Sequence, residues 1–426
     1  MLGKQGMNKN DVAKLEVYDL HADGQGVARW PDGRAVFIAN ALPGDIILTK
    51  IVKVKKTYAY GIIKQIVKPS ENRLNGSHVC PVAEPCGGCQ FQNYNYPAQL
   101  EFKEKLVRDA LRKVGQKEDY EFASIIGMDK PYAYRNKAQF PQGLGLYAAR
   151  SHRIVPISEC NIMHPACIDV LHKVQQLNIP NLRHLVVRVG ANEVMVILVV
   201  KGNRIPSVDD IDIDADTIVI NENSADTNVI LGDKFTTVKG SGYIHEELGN
   251  IRYRISPRAF FQVNSVQAKA IYDVVASQLN GEKRVIDAYC GIGSIGLYIA
   301  SMVDEVVGVE SVPQAIEDAN YNAQLNSIKN ARFICGQAED LVPKLLKQDE
   351  YDALILDPPR KGCEGKLLDM LVESGIKKVI YVSCNPNSLA RDVKVLHDGG
   401  YRISFVRPAD MFPMTKHVEC VVVLER

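Results

Sequence analysis

From about Ile271 onward, apolar segments of strand length recur with helical stretches between several of them. That rhythm restricts this part of the chain to a doubly wound α/β sheet. The segments are Val285–Ala288, Glu305–Val309, Ala331–Cys335, Ala353–Leu356, Lys378–Val382, Ile403–Arg407 and Val418–Leu424. Ligands of open α/β sheets bind beyond the carboxyl ends of the strands. The residues that follow each segment are therefore where chemistry is sought.

Upstream the pattern changes. Leu15–Leu20, Val27–Arg29, Ala35–Ile38, Asp45–Val54 and Tyr58–Ile66 alternate with turn chemistry at Asp23-Gly24, Pro31-Asp32-Gly33 and Pro43-Gly44. Five short strands in so little chain suit a small barrel of the OB type. Lys53, Lys55, Lys56, Tyr58 and Tyr60 mix positive charge with aromatic faces, as an RNA-binding surface does; a solvated strand face is the plainer alternative. Pro97 opens a helix to about Val114, and residues 120 to 255 read as mainly β, with Lys137–Phe140, Leu185–Val189, Val194–Val200, Thr217–Asn221 and Thr236–Lys239 as strands. The net charge of +1 conceals a split. Residues 1 to 79 hold twelve Lys/Arg against seven Asp/Glu, whereas residues 209 to 226 hold seven acids, beginning with Asp209 and Asp210, and no Lys or Arg. A basic N-terminal module attracts a polyanion. The chain of 426 residues has no apolar run long enough to span a bilayer, and its opening MLGKQG has no apolar signal core, so a cytoplasmic protein without a membrane partner is expected.

Val285-Ile286-Asp287-Ala288-Tyr289-Cys290-Gly291-Ile292-Gly293-Ser294-Ile295-Gly296 joins a strand to a glycine loop and a helix. Gly291, Gly293 and Gly296 satisfy G-x-G-x-x-G, so a nicotinamide cofactor is an option, although that motif alone is weak. Glu310 closes the next strand, where a carboxylate accepts from both ribose hydroxyls. Two features favour S-adenosylmethionine. Asp287 stands where a carboxylate faces a cationic ligand and repels a pyrophosphate, and Asp357-Pro358-Pro359-Arg360 follows another strand. Cys290 reads as a small packed residue.

Tyr381-Val382-Ser383-Cys384-Asn385-Pro386 puts a cysteine just past a strand on that same edge. A pyrimidine C5 is too weak a nucleophile to take a methyl group unaided. A thiolate added at C6 turns it into an enolate carbon. The free-cysteine pKa of about 8.5 calls for a site that favours the thiolate, and Arg360 or Lys361 supplies the charge for that. Glu419, a carboxylate in the apolar run Val418–Leu424, suits general-base work if buried, and is an edge-strand acid facing water if not. Cys80, Cys86 and Cys89 form C-x5-C-x2-C around Gly87-Gly88; Cys160, or in its place Cys167, completes a four-thiolate set for zinc or an iron–sulfur cluster.

Two resemblances tie these segments together. Gly24-Gln25-Gly26-Val27-Ala28-Arg29, Val36-Phe37-Ile38 and Ala41-Leu42-Pro43-Gly44-Asp45 resemble a TRAM domain. Across nearly the whole chain, Tyr134-Arg135-Asn136-Lys137, Phe260-Phe261-Gln262-Val263-Asn264, Asp287-Ala288-Tyr289-Cys290-Gly291, Asp357-Pro358-Pro359-Arg360, Ser383-Cys384-Asn385-Pro386 and His417-Val418-Glu419 resemble the RNA 5-methyluridine (uracil-C5) methyltransferases. The resemblance implies a TRAM barrel over 8–66, a central domain with the cysteine loop over 67–255, and a Rossmann-like methyltransferase domain over 256–426. It implies Cys384 as nucleophile and Glu419 as base. Gln262, Tyr289, Glu310 and Asp357 are then contacts of the cofactor and the target base, with Gly291, Gly293, Ser294 and Gln337 around the donor. Phe260 stacks on the extruded uracil, and Gln262 and Arg360 touch the substrate. Members with this cysteine pattern carry a 4Fe-4S cluster, here on Cys80, Cys86, Cys89 and Cys160. The expected activity is methylation of uridine C5 in 23S rRNA by a monomer, with tRNA second. The alternatives are an RNA-binding factor with a vestigial methyltransferase domain, a nicotinamide oxidoreductase and a cytosine-C5 methyltransferase. The joint presence of Cys384, Glu419, Asp357 and the glycine loop speaks against the first.

Overall fold

Alternation along Val12–Leu20 sends Leu15 and Val17 inward and Lys14, Glu16 and Tyr18 outward, the period-two pattern of a half-buried strand. In the computed structural model, which describes residues 7–74, 80–177, 179–202 and 211–426, this strand is the first of a closed five-stranded barrel. The others are Gly26–Arg29, Ala35–Ile38, Ile46–Val54 and Tyr58–Lys68, and closure leaves no unpaired sheet edge. Leu15, Val17, Trp30, Val36, Ile38, Ile47 and Ile51 fill the interior. A Cβ at Gly61 would run into Thr49 Cγ2, so glycine lets the side chains of the barrel interior pack close to the backbone there. On the outside, Tyr58 and Tyr60 stack edge to face at 5.5 Å, Phe37 meets Tyr58 at 5.6 Å, and Lys53, Lys55 and Lys56 are exposed. The residues 1–6 and the acids Asp209 and Asp210 singled out in the sequence lie outside the described residues.

The chain divides into two compact units. One comprises Met1–Leu106, Tyr147–Val155 and Phe412–Lys416; the other comprises Val107–Leu146, Pro156–Met411 and His417–Arg426. In the first unit the barrel is tied to the following segment by Leu20, Leu42, Phe91, Tyr94, Ala98 and Phe102.

The second unit holds two large sheets and the small antiparallel pair Ile244–Leu248 and Ile251–Ile255. A five-stranded one runs in the order Lys234–Lys239, Thr217–Glu222, Val194–Val200, Leu182–Val189, Lys137–Pro141. The segment read as mainly β also contains a helix, Pro165–Leu177. Its β-branched Val170 and Val174 disguise the helical spacing of a face that buries Cys167, Val170, Leu171 and Val174.

The larger sheet has the order Ala331–Cys335, Glu305–Glu310, Arg284–Ala288, Ala353–Leu356, Lys378–Ser383, Glu419–Glu425, Arg402–Ala409, Glu121–Phe122. All seven segments read from the sequence are strands in it. The two-residue edge strand is too short to leave a pattern. The first five are parallel, and Glu419–Glu425 runs antiparallel between Lys378–Ser383 and Arg402–Ala409. Its amino end therefore meets the carboxyl ends of its parallel neighbours. Strand order reverses between Arg284–Ala288 and its two flanking strands, the switch point at which open α/β sheets bind ligands. Among the described residues no helix is long and apolar enough to cross a membrane.

One polar contact pins the barrel. Asp45 is fully buried and accepts hydrogen bonds from the amides of Leu42 (2.7 Å) and Ser70 (2.9 Å) and from the guanidinium of Arg73. Burial alone would raise this carboxyl, but Arg73 and the two amides outweigh it and hold it below the ordinary value. Its contribution is thus present above the unfolded value, about 3.9, and is lost as pH falls through the folded one. Asp45→Ala leaves Arg73 buried without its counter-charge and is expected to cost about 3–5 kcal/mol in denaturant unfolding at neutral pH. A loss below about 1 kcal/mol would contradict this role.

Candidate active site

The strand Arg284–Ala288 ends in a loop whose backbone alternates into the left-handed region, with φ of 64° at Tyr289, 56° at Gly291 and 78° at Gly293. The glycines adopt this freely; Tyr289 is held in it at a cost of about 1–3 kcal/mol. The Tyr289 hydroxyl donates to Glu339 Oε1 at 2.8 Å. The Gly291 amide donates to Glu310 Oε2 at 3.2 Å, and Glu310 Oε1 accepts from Val312 N at 2.8 Å and Ser311 Oγ at 3.1 Å. The carboxylate closing the second strand thus lies against the glycine loop. Cys290 is packing, as its sequence context indicates: it is buried, and a Cβ on Gly308 would come within 2.9 Å of its sulfur.

Asp287 departs from expectation. Its carboxyl is completely buried, Oδ2 accepts from the Gly296 amide at 2.8 Å, and Oδ1 has no hydrogen-bond partner among the described residues. Burial pushes its pKa up to about 7. It fastens the loop to the helix Ser294–Ile299 and does not present a surface-facing carboxylate to a cation.

The next two loops form one bonded unit. Asp357-Pro358-Pro359-Arg360 follows Ala353–Leu356, and Cys384 follows Lys378–Ser383. Asn385 Nδ2 and Ser388 Oγ each donate to Arg360 O at 3.0 Å. Asp392, fully buried, accepts from the Cys363 amide at 2.8 Å, from Tyr381 OH at 2.7 Å and from Arg391 Nε at 2.7 Å. Arg391 Nη2 reaches Lys361 O at 2.8 Å. Asn385 caps the helix Pro386–Asp398, with Pro386 in the first turn, the favoured chemistry for both positions. Pro358 is buried, and the segment is held at both ends.

Ser383 pairs with Cys420, so continuing the register by one residue sets Cys384 opposite Glu419. Glu419 is 5% exposed on an interior strand, which excludes the water-facing edge acid. Burial, reinforced by the charge of Asp357 and opposed by Arg360, pushes its carboxyl up to about 8. Burial likewise puts Asp357 at about 7. The Cys384 thiol is raised to about 11 by burial and by Glu419 and Asp357, with Arg360 acting the other way. The expected thiolate is therefore not favoured in this site as it stands: one guanidinium faces two carboxyls. Lys361 is engaged with Glu364. The phenol of Tyr272, raised by burial and by Asp357, Asp287 and Glu419, belongs to the same electrostatic cluster. Sequence reasoning missed it. It missed Asp392 too, because neither residue adjoins a motif.

Phe260 is 69% exposed, an unusual position for a large aromatic. Gln262 follows it half-buried, its carbonyl accepting from Asn136 Nδ2 at 3.3 Å. Gln337 is exposed and precedes the helix Ala338–Gln348; Ser294 opens its helix, and its carbonyl accepts from Tyr253 OH at 2.8 Å.

In the cysteine loop, Cys86 Sγ accepts from the Gly88 amide at 3.4 Å and Cys89 Sγ from Gln92 Nε2 at 3.3 Å, donors that suit anionic sulfur. Among the described residues no three His, Cys, Asp or Glu side chains gather to metal-binding distance. Cys167 is wholly buried in the helix Pro165–Leu177, and burial pushes its thiol up to about 12, so it reads as packing and not as the alternative fourth ligand.

The model of the tRNA (Uracil-5-)-methyltransferase family matches residues 222–426, and that of the TRAM domain residues 9–64. An uncharacterized RNA methyltransferase of Halalkalibacterium halodurans is 42% identical, covering 98% of each chain. The chain belongs to the TRAM-containing RNA (uracil-5-)-methyltransferase family. A second member, from Bacillus cereus, is 40% identical over 99% of this chain and 98% of its own. The solved tRNA (uracil-54, C5)-methyltransferase of Pyrococcus abyssi, in complex with S-adenosyl-L-homocysteine, superposes with a TM-score of 0.79 at 29% identity, over 97% of this chain and 100% of that one. The fold is thus a SAM-dependent methyltransferase domain with an N-terminal barrel, and S-adenosylmethionine is the cofactor of the family.

The electrostatics predict a measurable coupling. Glu419→Gln removes a negative neighbour, so the pH midpoint for alkylation of Cys384 by iodoacetamide is expected to move down from about 11. An unchanged midpoint would show that the two groups do not interact.

Proposed function

We propose that this enzyme methylates C5 of a uridine in RNA through covalent catalysis by Cys384 with Glu419 as base. The observation that carries the reading is the grouping of Cys384, Glu419, Asp357 and Arg360 on one sheet edge, next to the glycine loop and Glu310. When bound, S-adenosylmethionine supplies an electrophilic methyl on a sulfonium. A cation beside Asp357 and Glu419 lowers all three raised pKa values, so donor binding and thiolate formation assist each other.

Cys384 loses its proton to solvent as the site fills; the thiolate sulfur bonds to C6, and the C5–C6 π pair moves into an enolate. C5 then takes the methyl group as the methyl–sulfur bond breaks. Glu419 accepts the C5 proton; the C5–H electrons re-form C5=C6 and expel the Cys384 thiolate. Gln262, Tyr289, Gly291, Gly293, Ser294, Glu310, Gln337 and Asp357 would hold the donor. Arg360 and Gln262 would contact the base, and Phe260 would stack against it once it is flipped out, at a cost of a few kcal/mol. The outer aromatic face of the barrel, Phe37, Tyr58 and Tyr60, supports a stacking role along the RNA.

Large-subunit rRNA is the first substrate we infer, from the resemblance of the cysteine pattern. The likeness to the Pyrococcus enzyme favours tRNA as the second, and methylation of transcripts of each separates them. Cys384→Ala should abolish transfer and leave donor binding intact. Glu419→Gln should transfer the methyl group yet stall as a protein–RNA adduct visible on a denaturing gel. Normal turnover in either variant would defeat the assignment.

The four cysteines Cys80, Cys86, Cys89 and Cys160 are proposed to hold a 4Fe-4S cluster. Their thiolates would leave no open iron, so the group would organise the fold without taking part in the transfer. Anaerobically purified protein should be brown and contain about four irons per chain. A colourless, zinc-loaded preparation would refute it.

A further inference from the structure

Two cations confront each other on the central sheet. In the pairing of Lys137–Pro141 with Leu182–Val189, Lys137 lies directly opposite Arg188, so both side chains leave the same face and like charges repel. Arg188 is 4% exposed; its Nη2 donates to Ala259 O, while its Nε is buried without an acceptor among the described residues. Arg135, whose Nε donates to Lys137 O at 3.0 Å, adds a third positive charge. Asp318 is the acid that favours the charge of Arg188, but it already takes Arg254 and the Ser256 hydroxyl, each at 2.7 Å. Glu246, close by on Asn136, takes Ser265 Oγ at 2.6 Å. Among the described residues neither Lys137 nor Arg188 has an ion-pair partner. The strain registers on Lys137, whose ammonium is pushed down to about 7 by burial and by its two arginine neighbours. A buried guanidinium facing a half-buried ammonium, with one donor unfilled, is costly unless something neutralises the pair.

The position matters. The bond from Arg188 to Ala259 fixes the guanidinium one residue before the exposed Phe260. Asn136, adjacent to Lys137, holds the other side of that segment through Gln262 O at 3.3 Å and Val263 O at 2.8 Å.

We propose that Lys137 and Arg188 form an anion site for a phosphodiester of the RNA strand beside the nucleotide presented at Phe260. The site rests on the uridine-methyltransferase reading and deepens it. A phosphate oxygen there accepts from the partly exposed Lys137 ammonium, sets a counter-charge beside Arg188 that offsets the cross-strand repulsion, and registers the strand so that the extruded base meets Phe260 and Gln262. The donor's carboxylate has related chemistry, and the experiment separates it from the phosphate.

The test uses full-length Lys137→Gln and Arg188→Gln proteins and the rRNA or tRNA transcript that the wild type methylates. RNA affinity is measured across a salt series, donor affinity by calorimetry, and stability by thermal melting. Lys137→Gln removes a repulsive partner, so it should melt no lower than wild type. It should nevertheless bind RNA on the order of ten-fold more weakly, with the log–log salt slope reduced by about one and donor affinity unchanged. Arg188→Gln should behave the same way toward RNA. Unchanged RNA affinity and slope in Lys137→Gln would overturn the site and leave the uridine reading standing. Weakened donor binding with RNA binding retained would assign the pair to the donor's carboxylate and likewise overturn it. A wild type without salt-dependent RNA affinity would instead sink the underlying reading.

Discussion

Carboxyl groups crowded beside a thiol, with too little positive charge among them, are the constraint around which the catalytic unit is organised. Burial raises the pKa values of Asp357, Cys384 and Glu419; the charge of Asp357 adds to the rise of Glu419, both carboxyls add to that of Cys384, and Arg360 offsets only part of the effect on the last two. A protein that buries such groups destabilises itself unless a ligand repays the cost. In the proposed reaction a sulfonium would do so, since it would bring the missing charge to this edge of the sheet. On the proposed mechanism the same surroundings keep a resting thiol: a permanent thiolate would be exposed to oxidation and alkylation between substrates, whereas this one would become nucleophilic as the site fills.

The scaffold keeps this arrangement through contacts distant in sequence. Asp392 bonds the loop after Ala353–Leu356 to the helix after Lys378–Ser383, so Arg360 and Cys384 are positioned as one piece. The antiparallel strand Glu419–Glu425 delivers the carboxylate to the same edge from the opposite direction. Each of the three groups proposed to react therefore stands at the end of a rigid element, as a reaction sensitive to misplacement of an ångström requires.

Most of the larger sheet was legible because its strands are buried on both faces and read as continuous apolar runs, of which Val421–Leu424 is the plainest. The barrel was legible for the opposite reason: Val12–Leu20 alternates. What escaped was information carried by the third dimension. Glu121–Phe122 pairs at the sheet edge with two residues and has no periodicity of its own. Pro165–Leu177 has the helical spacing, but its β-branched residues argue locally for strand. Asp287 sat at the right place in the motif for a ligand contact, yet its carboxyl turned to the Gly296 amide, a choice fixed by the close approach of the helix. The thiol's pKa was misjudged because the chain shows Arg360 and Lys361 as nearby charges but not the burial that raises it most, nor Glu419 and Asp357, which add to that in space.

The most direct measurement is intact-protein mass spectrometry after incubation with S-adenosylmethionine and a substrate RNA carrying 5-fluorouridine at the target position. Fluorine cannot leave C5 as a proton does, so the account predicts a stable adduct equal in mass to protein plus methylated RNA, mapping by peptide digestion to Cys384. An unmodified protein mass, or an adduct on any other residue, would contradict it.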